Sequence, residues 1–384
     1  MPKHVIPDTK CTGCLACYNA CPLNAISINA DNRGFFIPFI DETKCVGCGK
    51  CSSVCNKEIK RTSNASTSQT GYIVFSKNKC GYKNGSSSGV FTTIALNFLN
   101  NKRSVVCGAA FIDGLVKHVL VFEKKDVYKL SGSKYVQSFI GDIYQKIEDL
   151  LKKDFDVLFS GTPCQVDGLK TYLNKDYKNL FTIDLICHGV PSPAFLKKDL
   201  EQYCDYKSIT NISFRTKNLL FKSRSKFILT ICGKKTIRHL PSRDVYYSMF
   251  LNNHSFRECC YKCRFSNLNR IGDITIGDCD SYMNYPDFHK NEATSTLLIN
   301  NLHGKELWEH YSVFFDYCPM DINLEANKNT QLLFPSTKPD SSIISSIELN
   351  SMNLNALKQK YTKPSSFREK IAILFSLFLT GKRK

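Results

Sequence analysis

The cysteines with chemical potential announce themselves by spacing. Cys11, Cys14, Cys17 and Cys21 form a C-x2-C-x2-C-x3-C run, and Cys45, Cys48, Cys51 and Cys55 repeat it. Each run follows a Thr-Lys pair, Thr9-Lys10 and Thr43-Lys44, so the repeat is internal. This is the thiolate pattern that holds 4Fe–4S cubanes in pairs. Three cysteines two residues apart wrap a loop around three irons of one cube, and the fourth reaches the other cube. The pattern predicts one cluster on Cys11, Cys14, Cys17 and Cys55, and a second on Cys45, Cys48, Cys51 and Cys21. Gly13, Gly47 and Gly49 supply tight turns and aim amides at the sulfides. A zinc site or a disulfide knot does not call for four graded cysteines written twice. Pro22 follows the first run, whereas Asn56 stands at the matching place in the second, a change of turn rigidity and not of ligand count.

The elements that must position these and other residues are legible from periodicity. Residues 1–61 read as an α+β ferredoxin-like domain with short strands at Ala25–Ile28 and Phe35–Ile40 around the turn Ala30–Gly34. Residues 62–71 are small, polar and aperiodic, a linker. Residues 72–340 read as an α/β domain, because strands alternate with helices. Its first strand, Tyr72–Phe75, leads to the loop Asn84–Gly89 and then to apolar residues at helical spacing, Val90, Phe91, Ile94, Ala95, Phe98 and Leu99. A Gly/Ser loop entering a helix can bind an anion through free amides, and an ordinary serine N-cap is the alternative. Ser104–Phe111 and Val116–Phe122 read as strands and Ile143–Leu151 as an amphipathic helix. Asp156–Ser160 and Leu180–Ile186 read as buried strands, each ending in a Gly/Pro loop with a cysteine, Cys164 or Cys187, at its mouth. Open α/β sheets build their sites at that end of their strands.

Composition narrows the class. At 384 residues the chain is long enough for two or three domains. A formal charge of +18 invites a nucleic-acid reading, but the lysines are scattered and no nucleic-acid module is visible. Each cubane with four thiolates is itself an anion, which offsets part of the count. A basic surface suits an acidic redox partner, a phosphorylated cofactor or anionic lipid. With no signal-like or bilayer-spanning run and 19 cysteines, eight of them in the repeat, the expected location is the reducing cytoplasm. The tail, residues 341–384, holds an apolar block, Ile371–Leu379, between Arg368 and Lys370 on one side and Lys382, Arg383 and Lys384 on the other. It is too short to span a bilayer; it could lie peripherally on the inner face of the membrane, or close a groove of its own chain.

Six motifs in order carry a resemblance. Ser88-Gly89-Val90, Ser133-Lys134-Tyr135-Val136-Gln137-Ser138, Gly161-Thr162-Pro163-Cys164-Gln165, Cys187-His188-Gly189-Val190-Pro191-Ser192, Cys260-x-x-Cys263 and Asp273-Ile274-Thr275-Ile276-Gly277-Asp278 resemble the coenzyme F420 hydrogenase/dehydrogenase beta-subunit family. Fusion to a two-cluster ferredoxin domain also occurs there. The resemblance implies FAD beside iron–sulfur clusters, and electrons passing between a one-electron chain and a two-electron acceptor, F420 or another organic molecule. Where many relatives carry an aromatic pair after the last motif, this chain has Cys279-Asp280.

Residue roles follow from both lines. Cys164, Cys187, Cys260 and Cys263 are enough for a third 4Fe–4S cluster, which the cluster-bearing family implies; Cys259 competes as a ligand, and buried apolar thiols or a zinc pair are the alternative. Cys80, Cys107, Cys204, Cys232, Cys279 and Cys318 are expected to be structural. Ser87, Ser88, Gly89 and Thr92 are candidates for the flavin phosphates, by helix N-terminus geometry together with the resemblance. Lys134, Tyr135, Gln137 and Ser138 are candidates for the flavin ring or ribityl chain, with core packing the other role open to Tyr135. His188 is the candidate proton donor, and a structural histidine is the alternative. Arg215 and Lys217 either meet an anionic acceptor or form a solvated pair. The expected partners are a redox protein or reduced ferredoxin and a small-molecule acceptor. The other functional class is a relay subunit that passes electrons to a partner enzyme without chemistry of its own.

Overall fold

The computed structural model describes residues 3–4, 9–55, 69–217, 227–289, 293–339 and 349–362. Most of the expected linker and the apolar tail segment Ile371–Leu379 lie outside these residues, while Thr70 and Gly71 already belong to a strand.

The N-terminal part runs β1 (Lys3–His4), α1 (Ala16–Ala20), β2 (Ile26–Ala30), β3 (Phe36–Ile40) and α2 (Lys50–Val54). β3 pairs antiparallel with both β1 and β2. The cysteine repeat is visible as geometry: α1 follows Leu15 at φ 58° and α2 follows Gly49 at φ 74°, the same left-handed turn at equivalent places. For leucine that turn costs about 1–2 kcal/mol. Leu15 is 2% exposed, packed with Ile140, Tyr144 and Val166 of the larger part, and burying such a side chain returns about 1.5–3 kcal/mol.

The larger part begins β4 (Thr70–Ser76), α3 (Lys79–Asn84), α4 (Val90–Phe98), β5 (Ser104–Ile112), β6 (Leu115–Val121), α5 (Val127–Leu130), α6 (Ile143–Lys152), β7 (Asp156–Gly161), α7 (Pro163–Leu173), β8 (Leu180–Leu185) and α8 (Pro193–Leu200). It continues β9 (Asn211–Lys217), β10 (Phe227–Cys232), β11 (Thr236–His239), α9 (Val245–Leu251), β12 (Ile274–Asp278), β13 (Ser295–Ile299), α10 (Leu302–Tyr311), β14 (Phe315–Pro319), α11 (Ile322–Lys328) and α12 (Leu354–Tyr361). Eight strands form one sheet in the order β14-β4-β13-β12-β8-β7-β5-β6. Its centre, β12, β8, β7 and β5, is parallel, as the continuous apolar runs require of strands covered on both faces. The flanks are antiparallel, so the sheet is mixed and not purely doubly wound. Asp113 and Gly114, both at positive φ, turn β5 back into β6 with the backbone a two-residue hairpin demands.

Alternate residues of β7 feed opposite faces: Leu158 packs with Val90, Ile94 and Trp308, whereas Val157 and Phe159 pack with Tyr144, Ile147 and Val166. A second sheet, β11-β10-β9, packs with α8, α9 and α12 around Tyr246, Phe214 and Phe256. Periodicity does not disclose this sheet; its residues read only as the short basic stretch Phe214–Lys217.

Candidate functional site

The two central strands deliver cysteines to one place. β7 ends at Gly161; the next residue, Thr162, caps α7, its main-chain N–H donating to Gln165 Oε1 at 3.1 Å, and Pro163 opens the helix. Cys164 therefore sits in the first turn of that helix. β8 runs into the loop of Cys187, and Ser192 ends this loop as the cap of α8, its Oγ accepting from Phe195 N at 3.1 Å. Arg270, buried, pairs with buried Asp184 at 3.2 Å and donates to Leu185 O at 2.8 Å, which pins the start of the Cys187 loop. Cys259 and Cys260 lie in a short 3-10 turn, with Cys263 just after it.

A cavity of about 340 Å³ opens among these cysteines and those of the N-terminal part. Cys11, Cys14, Cys17 and Cys55 line it from one side, and Cys164, Cys187, Cys259, Cys260 and Cys263 from the other. Cys55, from the second run, thus meets the first three cysteines of the first run. Cys259 reaches the cavity as well as Cys260. The two sides abut at α7, where a Cβ on Gly168 would stand 2.9 Å from Cys14 Cβ and 3.1 Å from its Sγ. Cys45, Cys48, Cys51 and Cys21 stand apart from this cavity, with Cys45 and Cys48 exposed and Ala25 N donating to Cys21 Sγ at 3.2 Å.

Among the described residues, no three His, Cys, Asp or Glu side chains converge as a single metal ion would require. The nine cavity cysteines line one void. Burial raises the thiols of Cys14, Cys17 and Cys164, and pushes Cys187 up to about 12. Thiolates at these positions need a compensating positive group, and iron is one.

A second void, about 390 Å³, lies on the far side of Cys164 and Cys187. Thr12, Thr162, Cys164, Cys187, His188, Gly189 and Val190 line both spaces and form the wall between them. Of the residues expected at a flavin, Ser87, Gly89, Thr92, Lys134, Tyr135, Gln137 and Ser138 line this cleft. Ser88 does not. It is fully buried, and its N–H and Oγ both engage Ser295 Oγ, at 3.1 and 2.8 Å, so its amide is already spent. The serine N-cap is not what is built either: Gly89 is the cap residue, at φ 85°, with no side-chain bond to the helix. Ser87 Oγ donates to Thr294 O at 2.6 Å, and Thr92 Oγ1 lies 2.9 Å from Ser131 Oγ.

Lys134 sits half-buried on the cleft wall, its Nζ donating to Lys129 O at 3.1 Å and Ser131 O at 2.7 Å. Desolvation pulls its ammonium down to about 7. Tyr135 stacks on Phe250 at 4.2 Å and lines the cleft too, so packing and lining are one role. Ser138 Oγ lies 2.5 Å from His118 Nδ1, and His118 Nε2 lies 3.0 Å from the Ser160 carbonyl. The carbonyl can only accept, so His118 carries its proton on Nε2 and Ser138 donates to Nδ1. Burial, with Lys134 nearby, lowers His118 to about 4 and keeps it neutral.

Arg215 and Lys217 are neither solvated nor alike. Arg215 is buried on the cleft wall with Nη1 2.8 and 2.7 Å from the Asp278 carboxylate oxygens. Lys217 turns to the Gly/Ser loop, donating to the carbonyls of Tyr82 and Ser87, and so holds the loop. His188 lines both voids, and its imidazole is held below its ordinary value, first by burial and then by Arg215, with Asp278 opposing. Cys279-Asp280 forms a turn fixed by buried Glu325, whose carboxylate accepts from Asp280 N at 3.1 Å and Ser281 N at 2.8 Å. Asp280 reaches the cleft, its carboxyl pushed up to about 6 by desolvation, Glu325 and Asp278.

Arg257 is the residue the sequence reading misses. It is 2% exposed, and its Nε donates to Cys11 O at 2.6 Å while Nη1 donates to Phe36 O and Gln137 Oε1, both at 3.1 Å. The one available signal is an arginine two residues ahead of a cysteine pair.

Residues 155–313 match the family model for the C terminus of the coenzyme F420 hydrogenase/dehydrogenase beta subunit, and residues 10–59 match a 4Fe-4S dicluster domain. The two matches lie in one chain, the dicluster domain ahead of the beta-subunit segment. The cysteine repeat is the segment that matches the 4Fe-4S dicluster domain, and the wall between cleft and cavity falls within the segment matched by the beta-subunit model for all but Thr12. A solved chain from the F420-reducing NiFe hydrogenase complex of Methanosarcina barkeri, studied with xenon, is 16% identical; the match covers 70% of this chain and 96% of that chain, with a TM-score of 0.45. No curated protein matches. Among the described residues no helix is long and apolar enough to cross a membrane.

Proposed function

We propose that this protein is a member of the coenzyme F420 hydrogenase/dehydrogenase beta-subunit family and an iron–sulfur flavoprotein oxidoreductase that passes electrons between 4Fe–4S clusters and FAD, and on to an organic two-electron acceptor. The shared wall carries the reading: the same loops that present Cys164 and Cys187 to the cysteine cavity form one side of the cleft. A third cluster on Cys164, Cys187, Cys263 and either Cys260 or Cys259 would then lie between the first cluster and the cleft. Cys14 against α7 gives the contact from the first set of cysteines to the third. Exposed Cys45 and Cys48 put the second set at the surface, where a redox partner protein would reach it.

The cleft suits FAD in its donor set. The start of α4, with no side chain capping it, offers main-chain N–H groups to a pyrophosphate, and Lys134 offers a cation. Bound FAD supplies the exchange between single electrons and a hydride. Arg215, fixed by Asp278, would orient an anionic acceptor, and His188 stands where a proton could be held for it. Anaerobic reconstitution with iron, sulfide and FAD, followed by analysis of each and an acceptor screen, tests the proposal. The expected product holds about twelve irons, three cubanes of four, and one flavin per chain; a folded, iron-loaded chain that takes up no flavin would sink it.

A further inference from the structure

Arg257 is a buried cation with no carboxylate opposite it. Among the described residues no acidic side chain lies within salt-bridge distance, and its three hydrogen bonds go to neutral oxygens: the carbonyls of Cys11 and Phe36 and the amide of Gln137. Its Cζ lies 5.3 Å from the centre of the Phe35 ring. A buried guanidinium without an anion is costly, and the chain normally supplies a carboxylate, as Asp184 is for Arg270. The groups nearest in effect to balancing Arg257 are thiols, with the Asp31 carboxylate, already paired with Arg33, a weaker contributor. Cys11 of the first set, and Cys259 and Cys260 of the third, are those whose charge it feels most strongly.

The backbone fixes it between the two sets. Arg257 N donates to Val190 O at 2.9 Å, in the loop that begins with Cys187, and Arg257 O accepts from Cys260 N at 2.8 Å. Its side chain reaches the Cys11–Cys14 loop, where Gly13 leaves room: a Cβ there would stand 2.0 Å from Gln137 Nε2 and 3.0 Å from Arg257 Nη1. Gln137 Oε1 is committed to the guanidinium, so the amide is oriented with its nitrogen over Gly13.

We propose that Arg257 is an electrostatic tuning residue, a fixed positive charge shared by the first and third clusters that raises their reduction potentials above that of the exposed second cluster. The inference rests on the cluster assignment proposed above. Reduction adds one electron to a cubane already anionic from its thiolates, so a nearby buried cation favours the reduced form. The second set, on Cys45, Cys48, Cys51 and Cys21, makes no contact with Arg257. The gradient would draw electrons inward from the surface.

Anaerobic redox titration of the reconstituted full-length chain, followed by electron paramagnetic resonance, tests this. Wild-type protein without cluster signals would overturn the cluster assignment, and the inference with it. With clusters present, Arg257→Met should cut the reduced-to-oxidised ratio of at least one cluster tenfold or more at fixed potential, a fall of about 59 mV for one electron, and leave one other midpoint in place. Arg257→Lys, which keeps the charge, should fall by less than half as much. Gln137→Glu leaves Arg257 in place and sets a carboxylate against it, so the same midpoint should fall. An unchanged midpoint in Gln137→Glu overturns the inference whether or not Arg257→Met folds, and an equal fall in the Lys and Met variants would show that only shape matters.

Discussion

Gly89 can be used to test how the cleft is built. Its φ of 85° lies in the left-handed region, and a Cβ there would stand 2.4 Å from Gly81 O, 2.5 Å from Gly81 C and 2.7 Å from Tyr82 N. These are backbone atoms of α3, so no side-chain rotation relieves the contact. Gly132, on the same cleft, has φ 79°, but its Cβ would meet only Asn84 O at 3.6 Å, an ordinary contact. Gly132→Ala should therefore cost the backbone term alone, about 1–2 kcal/mol. Gly89→Ala adds overpacking of about 1–3 kcal/mol, for about 2–5 kcal/mol in all. Urea unfolding of the full chain, followed by circular dichroism, reads both variants against the wild type. The second variant should also lose flavin uptake, because α3 and α4 must separate and carry the helix start with them. Equal stability losses in the two variants would refute the close α3–α4 packing and the cradle inferred from it.

Other expectations follow from the same structure. Cys55→Ala should disturb the cluster of Cys11, Cys14 and Cys17 and spare that of Cys45, Cys48 and Cys51, as spectroscopy of the reconstituted chain would show; the reverse would overturn the crossed assignment. Lys134→Met should weaken FAD binding about tenfold, the worth of one good charge contact. Desolvation holds Lys134 at about 7 and phosphate binds its charged form, so wild-type affinity should fall as pH rises past that value while the variant stays flat in calorimetry. Burial raises the carboxyls of Asp199 and Asp244, so the folded chain keeps a proton that the unfolded chain releases near its ordinary value of about 3.9. That stabilisation is complete below about pH 4 and is lost as pH rises through the raised value. Asp199→Asn should flatten this decline in chemical unfolding, and parallel profiles would rule the shared proton out.

What the sequence discloses is what is local. The thiolate spacing is chemistry within a few residues, so the dicluster repeat could be read directly, and the continuous apolar runs of β7 and β8 marked them as buried strands. The mixed flanks of the sheet and the β9–β11 sheet were hidden because strand direction depends on pairing, not on periodicity. Commitments across the chain were hidden too. Ser88 is excluded from the cleft by Ser295, 207 residues away, and Lys217 is claimed by Ser87 at a separation of 130. Arg257 lies 246 residues from the carbonyl it holds at Cys11. No window on the sequence contains both members of such pairs.

The N-terminal part packs directly on the larger part. Leu15 and Ala16 are buried in the larger part's own core, and Asn19 Nδ2 donates to Gly141 O at 2.9 Å while Gln145 Nε2 donates to Asn19 O at 2.9 Å. A tethered electron carrier that swings to its acceptor is limited by diffusion through solvent. On the proposed path the cysteine sets and the cleft share one packed wall, so internal electron transfer should proceed at the same rate in glycerol as in water, and only the encounter with an outside partner should slow with viscosity.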